Sequence, residues 1–231
     1  MTLDVRAQAE ALREKALPLL STGAFAEALA LYDEALVLAR QTRDDVFVDW
    51  IYACRAAAAV ESGGADEVLV ELKRVLLRTS DAATAFRASY SAARVYELRR
   101  DFKKALFYNR IARQHASRLD DVLLFAGAEK QGGTFLTLES RFDDAAEAYR
   151  HALELTAPPA PVPEIFRALL KDELGYCLIS LDRTEEGLAL VHESLDTLER
   201  EGAGQSPNVA YLLMDLCFGY LKLDRYAEAR Y

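Results

Sequence analysis

The hydrophobic positions of this chain repeat one arrangement several times. In one stretch, large and small apolar residues alternate at steps of three and four: Phe142, Ala145, Tyr149, Ala152 and Leu153. This spacing places them on one face of an α-helix. The small residues would let a second helix approach closely, and the large ones would pack against it. The same arrangement occurs at Phe25, Ala28, Tyr32, Ala35 and Leu36. The pattern predicts amphipathic helices that pack in pairs.

The first small residue of this pattern recurs every 37 to 42 residues, at Ala28, Val68, Ala105, Ala145, Gly187 and Ala229. Twelve residues before each, another helical segment carries its own small residue: Ala16, Ala56, Ala93, Gly133, Gly175 and, least clearly, Cys217. Short polar turns separate the two segments, and Asp44, Asp81, Asp121 and Ser206 are the expected N-caps of the first helices. The unit is therefore helix, turn, helix, and no segment has the pattern of a β-strand.

Six such units cover the chain, at about 4–43, 44–80, 81–119, 120–157, 162–204 and 205–231. The proline-rich segment 157–163 is expected to be an ordered connector and not a domain boundary, because the register resumes directly after it. The last unit stops inside its second helix, which suggests a fragment of a longer chain or an end covered by another molecule. We expect one domain over residues 1–231.

This pattern resembles the tetratricopeptide repeat, in which a small residue in the first helix is followed by aromatic and alanine positions in the second. Phe25, Ala28, Tyr32 and Ala35 match fully, whereas the second unit departs most and the usual tryptophan is missing. The period is similar to the longer version of kinesin light chains and many bacterial regulators. The resemblance implies an all-α fold, an α-solenoid of stacked hairpins forming a right-handed superhelix, with the first helices lining a concave groove.

The expected groove residues flank the small residue of each first helix. Their charges divide into a basic, aromatic centre and an acidic, aromatic C-terminal part. The basic centre suits a carboxylate or an acidic peptide segment, which arginine can bind with two parallel hydrogen bonds. The alternative is that these charges pair with one another, as Arg94 with Glu97. The candidate partner-binding residues are Trp50, Arg87, Tyr90, Arg94, Lys130, Gln131, Thr134, Asp172, Glu173, Tyr176, Tyr211, Asp215 and Phe218.

Composition narrows the partners. The 231 residues carry a formal net charge of −9, which argues against a nucleic-acid or anionic-membrane surface. Three widely spaced cysteines in apolar helical runs are typical of reduced, buried thiols. The sequence has neither a signal-peptide pattern nor an apolar run long enough to span a membrane. We therefore expect a soluble, cytoplasmic protein.

Catalytic and metal-binding motifs are not apparent. His192-Glu193 begins like a zinc-protease motif, but Asp196 stands where the second histidine ligand is required. The glycine-rich stretch 202–204 lacks the lysine and the preceding strand of a phosphate-binding loop. We predict no enzymatic activity, no metal site and no cofactor.

Two hypotheses for function remain, and they are compatible. In the first, the chain is a protein-interaction scaffold that binds a peptide or partner segment in the concave groove. In the second, it is the N-terminal sensory or regulatory arm of a larger bacterial signalling protein, whose output domain lies beyond residue 231. Self-association through the uncapped C-terminal end is also expected.

Overall fold

The computed structural model describes residues 4–229, and within that range it contains eleven α-helices and no strand. The all-α prediction is confirmed. The helices are α1 Val5–Ser21, α2 Phe25–Gln41, α3 Asp45–Glu61, α4 Ala65–Arg78, α5 Ala82–Leu98, α6 Phe102–Ala116, α7 Val122–Leu138, α8 Phe142–Leu155, α9 Glu164–Ser180, α10 Thr184–Arg200 and α11 Pro207–Lys222. None of these helices is long and apolar enough to cross a membrane.

The chain divides into two compact units, an N-terminal unit Met1–Leu119 with α1–α6 and a C-terminal unit Asp120–Tyr231 with α7–α11. The division falls between the third and fourth predicted repeats. The proline-rich connector 157–163 lies inside the C-terminal unit, as expected. A single continuous domain over the whole chain stays a prediction.

Each predicted hairpin turn has the same backbone geometry, and all but the last separate two observed helices. Its middle residue is left-handed, with φ between 55° and 91°, at Gly23, Gly63, Arg100, Ser140, Asp182 and Asp224. The following N–H donates to a carbonyl five residues earlier, as Asp101 N does to Tyr96 O at 2.9 Å. This Schellman geometry satisfies carbonyls that the end of a helix would leave without a donor. The turns therefore stop every first helix in the same way.

The predicted aspartate caps are confirmed at three first helices. Asp44 accepts from the N–H of Phe47 at 3.1 Å, and Asp81 and Asp121 cap α5 and α7 in the same way. Ser206 occupies the N-cap of α11 but its side chain makes no cap hydrogen bond. Pro207 follows at the first helical position, where its fixed φ already suits a helix and no N–H is needed.

Within each unit, successive hairpins stack as in an α-solenoid. In the N-terminal unit, α3 packs against α2, α4 and α5; in the C-terminal unit, α9 packs against α8, α10 and α11. The small residues of the first five hairpins are buried, whereas Cys217 and Ala229 of the sixth unit are partly buried. At the crossing of α9 and α10, a Cβ added at Gly187 would lie 2.5 Å from the carbonyl oxygen of Gly175. Only glycine at these two positions permits such an approach.

The sixth predicted unit is partly formed. Its first helix is α11, whereas residues 226–229 form turns and not a second helix. The predicted stop inside that helix falls at Arg230 and Tyr231, which lie outside the described residues. The three thiols are free; those of Cys54 and Cys177 are buried and that of Cys217 is partly buried.

Candidate functional site

In the N-terminal unit, the predicted groove residues lie on the first helices α3 and α5. The guanidinium carbon of Arg87 lies 5.2 Å from the ring centroid of half-buried Trp50, and that of Arg13 lies 5.8 Å from it. Arg13 is also paired with Glu10. Arg87 has no carboxylate partner in the part of the chain that the structure describes. Its charge is therefore available to a ligand, and the tryptophan face orients it.

Arg94 differs from Arg87, because its charge is already compensated. Its Nε lies 2.8 Å from Glu61 Oε1 on the preceding hairpin, and a terminal nitrogen lies 2.7 Å from Glu97 Oε1. The hydrogen bond with Glu61 is the main reason that the pKa of Arg94 is raised. Tyr90 is half-buried beside Phe86, with 5.5 Å between ring centroids. For Arg94 the alternative considered from the sequence therefore applies: its charge pairs with carboxylates of this chain.

In the C-terminal unit, four predicted groove residues line one cavity of about 260 Å³. They are brought together by α7, α9 and α11, the first helices of three successive hairpins. The lining residues are Lys130, Leu169, Asp172, Glu173, Asn208, Tyr211 and Leu212. The four groove residues were predicted because they lie on first helices, and the structure places them at one site.

A hydrogen-bonded network fixes one wall of the cavity. Lys130 Nζ donates to Glu173 Oε1 at 2.8 Å, and the hydroxyl of Tyr149 donates to the other carboxylate oxygen at 3.0 Å. Tyr149 also approaches Thr134 Oγ1 at 3.4 Å. Burial first, and then the charge of Glu173, raise the pKa of Tyr149, so that its hydroxyl stays protonated as a donor. Both oxygens of Glu173 are therefore already occupied.

Asp172 is the unsatisfied group of the cavity. It is 7% exposed, and its Oδ1 has no hydrogen-bond partner among the described residues. Burial, followed by the nearby charges of Asp215 and Glu173, raises the pKa of Asp172 to about 8, against a smaller opposing effect of Lys130. Burial and then Glu173 raise the pKa of Asp215 to about 7. Two carboxyl groups here therefore titrate near neutral pH, where ordinary aspartates are fully ionised.

The remaining predicted residues are placed differently. Gln131 is 8% exposed, so its side chain belongs to the interior of the fold and not to an open binding surface. The ring of Tyr176 contacts those of Phe142 and Phe218, with centroid distances of 6.0 Å and 5.9 Å. Phe218 itself is 38% exposed, and the three rings form a row in which Tyr176 is in the middle.

Sequence reasoning missed four contributors to the site. Leu169, Asn208 and Leu212 line the cavity, and Tyr149 supports Glu173 from a second helix. Leu169 lies three residues before Asp172, and Asn208 three before Tyr211. The helical spacing on α9 and α11 could have indicated both, whereas Tyr149 was assigned only to the packing pattern.

The described residues contain no group of three or more His, Cys, Asp or Glu side chains arranged to hold a metal ion. The histidine of the rejected protease motif has a structural contact: His192 Nε2 lies 2.6 Å from the hydroxyl of Tyr220. Burial is the main cause of a raised pKa for the thiols of Cys54 and Cys177, to about 11 in each case. These thiols are protonated at neutral pH, a poor state for a nucleophile.

Comparisons with solved structures identify the class of fold. BtubC (BKLC) from P. vanneervenii matches with a TM-score of 0.72 and 19% identity over 86% of this chain and 82% of that one. A thermophilic TPR protein of Thermus thermophilus matches with a TM-score of 0.64 and 18% identity over 89% and 99%. The chain therefore has the fold of tetratricopeptide-repeat proteins, as its resemblance implied.

A third match is a signal-transduction ATPase with numerous domains from Pyrococcus horikoshii, which has a tetratricopeptide repeat sensor. The TM-score is 0.74 with 15% identity, and the match covers 96% of this chain but only 34% of that protein. No protein-family model matches the sequence. The search of curated proteins found no match.

Proposed function

We propose that this protein is an interaction module that binds a segment of a partner protein on the surface of its first helices. Folds of this type mediate protein–protein interaction. The observation that carries the proposal is the 260 Å³ cavity, which is lined by four residues expected in the groove. Hairpin packing alone leaves no reason to keep Asp172 buried and unpaired beside an opening, whereas a bound segment supplies one.

The N-terminal unit supplies a second contact, for a carboxylate. Arg87 is the basic residue of the predicted centre that has no ion pair within residues 4–229. Arg94 is bound to Glu61 and Glu97, and Lys130 to Glu173. An acidic side chain of the partner would reach Arg87 where the Trp50 ring contacts its guanidinium. Desolvated charge-assisted hydrogen bonds of this kind are among the stronger ones.

The test is a capture experiment with three forms of the immobilised chain: the parent, Arg87→Glu and Arg110→Glu. Arg110 is exposed on the second helix α6 and has no ion pair with a described residue, so it matches the charge change away from the first helices. Arg110→Glu should keep its helicity, since exposed substitutions cost less than about 0.5 kcal/mol. Arg87 is half-buried, so circular dichroism of Arg87→Glu must show parent-like helicity before its binding is compared. A partner retained by Arg110→Glu and lost by Arg87→Glu supports the proposal. Equal capture by all three forms contradicts a role for Arg87.

Arg94 is unsuitable for this test. Reversing its charge would place three carboxylates together, because Glu61 and Glu97 already flank it. The resulting repulsion would lower stability as well as any binding, and the two effects could not be separated.

A second candidate function is the sensory or regulatory arm of a larger bacterial signalling protein. The match to the Pyrococcus ATPase with its repeat sensor covers nearly the whole chain but about one third of that protein, which favours this interpretation. A cytoplasmic location, expected from the sequence, is proposed together with this function. Sequencing the encoding gene past residue 231 tests it directly. An output domain in the same reading frame supports a sensory arm, and a stop codon there contradicts it.

Self-association is proposed for the exposed apolar face of α11. Tyr211, Met214 and Leu221 are 64%, 65% and 48% exposed. Light scattering over a range of concentrations should show a mass above that of the monomer, which Met214→Glu should restore to the monomer value. A strict monomer at all concentrations contradicts the proposal.

A further inference from the structure

The cavity of the C-terminal unit contains a buried carboxyl group with one oxygen that no described residue satisfies. Asp172 lines this cavity, and its Oδ1 has no donor, although the residue is 7% exposed. Its neighbour Glu173 is bonded at both oxygens. A buried acceptor without a partner costs about 1–3 kcal/mol, and more if it is charged. A ligand that brings a donor to Asp172 would recover this free energy.

The charges facing Asp172 favour a positively charged donor. The helices packed around it contribute Lys130 from α7, the neutral hydroxyl of Tyr149 from α8, Glu173 from α9 and Asp215 from α11. Three carboxyl groups thus share one ammonium group, and that ammonium is paired with Glu173. An anion would meet excess negative charge, whereas a cation would be attracted and would complete the hydrogen bonding of Asp172.

The size and the walls of the cavity limit the cation. Small-molecule pockets measure about 300–1,000 Å³, and one water occupies about 30 Å³ in the liquid. A volume of about 260 Å³ therefore suits one long side chain better than a drug-sized ligand. Leu169 and Leu212 provide apolar wall for a methylene stem, and the exposed ring of Tyr211 can cover a charged group. No carboxylate cluster of the described residues is arranged for a metal ion.

We propose that this cavity binds the alkylammonium or guanidinium group of a lysine or arginine side chain presented by a partner segment, with Asp172 as its acceptor. The inference rests on the proposed function, since the cation is part of the bound segment. On binding, the Asp172 carboxyl group loses its proton to solvent and the resulting carboxylate pairs with the cation. Because the pKa of Asp172 is about 8 in the free chain, affinity should rise as pH increases from about 6 to 8.

The test uses blocked pentapeptides that differ only in the central residue, which is arginine, lysine, glutamine or glutamate between glycines. Binding to the full chain is followed by NMR from the backbone amide signals around Asp172 and Tyr211. The arginine or lysine peptide should shift these signals, and the glutamine and glutamate peptides should leave them unchanged. Calorimetry of the same titration in two buffers of different ionisation enthalpy should show proton release at neutral pH. Equal binding of the glutamine peptide, or no proton release, overturns the proposal.

Asp172→Asn is the decisive variant, because it removes the charge and keeps the shape. It should lower the affinity for the cationic peptide by about tenfold or more, because a charge-assisted hydrogen bond is lost. Asp196→Asn, an exposed change on α10, is the matched control and should bind like the parent. Tyr211→Ala gives a second, surface variant should Asp172→Asn alter the fold, and it should also weaken binding. Unchanged affinity in both cavity variants refutes the site.

Two further measurements are needed. One distinguishes a cation on a partner segment from a free amine, and the other distinguishes failure of this inference from failure of the proposed function. Methylguanidine and diaminobutane carry the same groups without a peptide, and we expect them to bind more weakly than the pentapeptides. Equal binding would assign the cavity to free amines and overturn the partner segment. If no cationic probe binds but capture still depends on Arg87, the interaction module stands and this inference fails. If the arginine peptide binds and the Arg87 test fails, the cavity stands without the carboxylate contact.

Discussion

The crossing of α9 and α10 provides the most direct test of the repeat register. We consider Gly187→Ala, which adds one methyl group to the second helix of the fifth hairpin. The added carbon would lie 2.5 Å from the carbonyl oxygen of Gly175 and 2.6 Å from Cγ1 of Ile179. Gly127→Ala is the matched control, since it lies inside α7 and the added carbon would have no described atom within 4 Å beyond its chain neighbours and the nearby backbone of its own helix. Both changes give the helix the same gain in propensity.

The two variants should change stability in opposite directions. Replacing a helical glycine by alanine stabilises by about 0.5–1 kcal/mol, and Gly127→Ala should show this gain. At Gly187 the methyl group meets backbone atoms, including the amide nitrogen of Ile179 at 3.0 Å, and these cannot rotate away. Overpacking costs about 1–3 kcal/mol. With contacts this short we expect a net loss of about 2 kcal/mol, or a Tm lower by about 4–8 °C.

Urea and thermal unfolding followed by far-UV circular dichroism measure both effects on the free energy of unfolding. The parent, Gly127→Ala and Gly187→Ala should be compared in one buffer at one pH. If Gly187→Ala is as stable as the parent, α9 and α10 do not approach as closely as described. The register of the small residues would then be wrong at this hairpin.

Other predictions follow from particular contacts. Arg100→Gly should stabilise the chain by about 0.5–1 kcal/mol, since Arg100 has φ of 55°; an unchanged urea midpoint would contradict this. Arg78→Met should cost about 2 kcal/mol, because it removes two donors from Asp49, which is 3% exposed; Asp49→Asn in the same chain should recover part of the loss in a double-mutant cycle. The raised pKa of Asp172 favours the protonated folded state, so stability should fall as pH rises from about 4 to 8. Asp172→Asn should flatten this dependence in thermal melts, and a parallel pH profile would refute it.

Most of the fold could be predicted from the sequence, because the same packing requirement recurs in every repeat. A small residue at a fixed place in each helix indicates a close crossing, and even the divergent second unit forms α4 with Val68, Leu72 and Val75 buried. The left-handed backbone conformation of the turns was harder to predict from the sequence. At Arg100 and Ser140 no glycine marks them, and the hydrogen bonds that close the hairpin impose the conformation on an unfavourable residue.

The site was predicted only in outline. The repeat placed Lys130 and Asp172 at equivalent positions of first helices, with Glu173 next to Asp172, and this was enough to bring them together. Their pairing could not be predicted, since it depends on side-chain conformations and on a tyrosine from a second helix. Arg94 illustrates the difficulty, because its main partner Glu61 is 33 residues away and the sequence singled out only the local Glu97. The charge pattern therefore indicated the first-helix surface, whereas side-chain packing determines which of its charges form ion pairs.

The uniform hairpin turns determine where the chain can change in length. An α-helix rotates by about 100° per residue, so one residue added to a three-residue turn would move the small residue of the second helix off its interface. The sequence agrees: the two small residues of a hairpin are always twelve apart, whereas successive hairpins are 37 to 42 apart. The difference in spacing therefore lies between hairpins, where the connector 157–163 is found. Repeats of this kind can therefore diverge in number and spacing while each hairpin keeps one length.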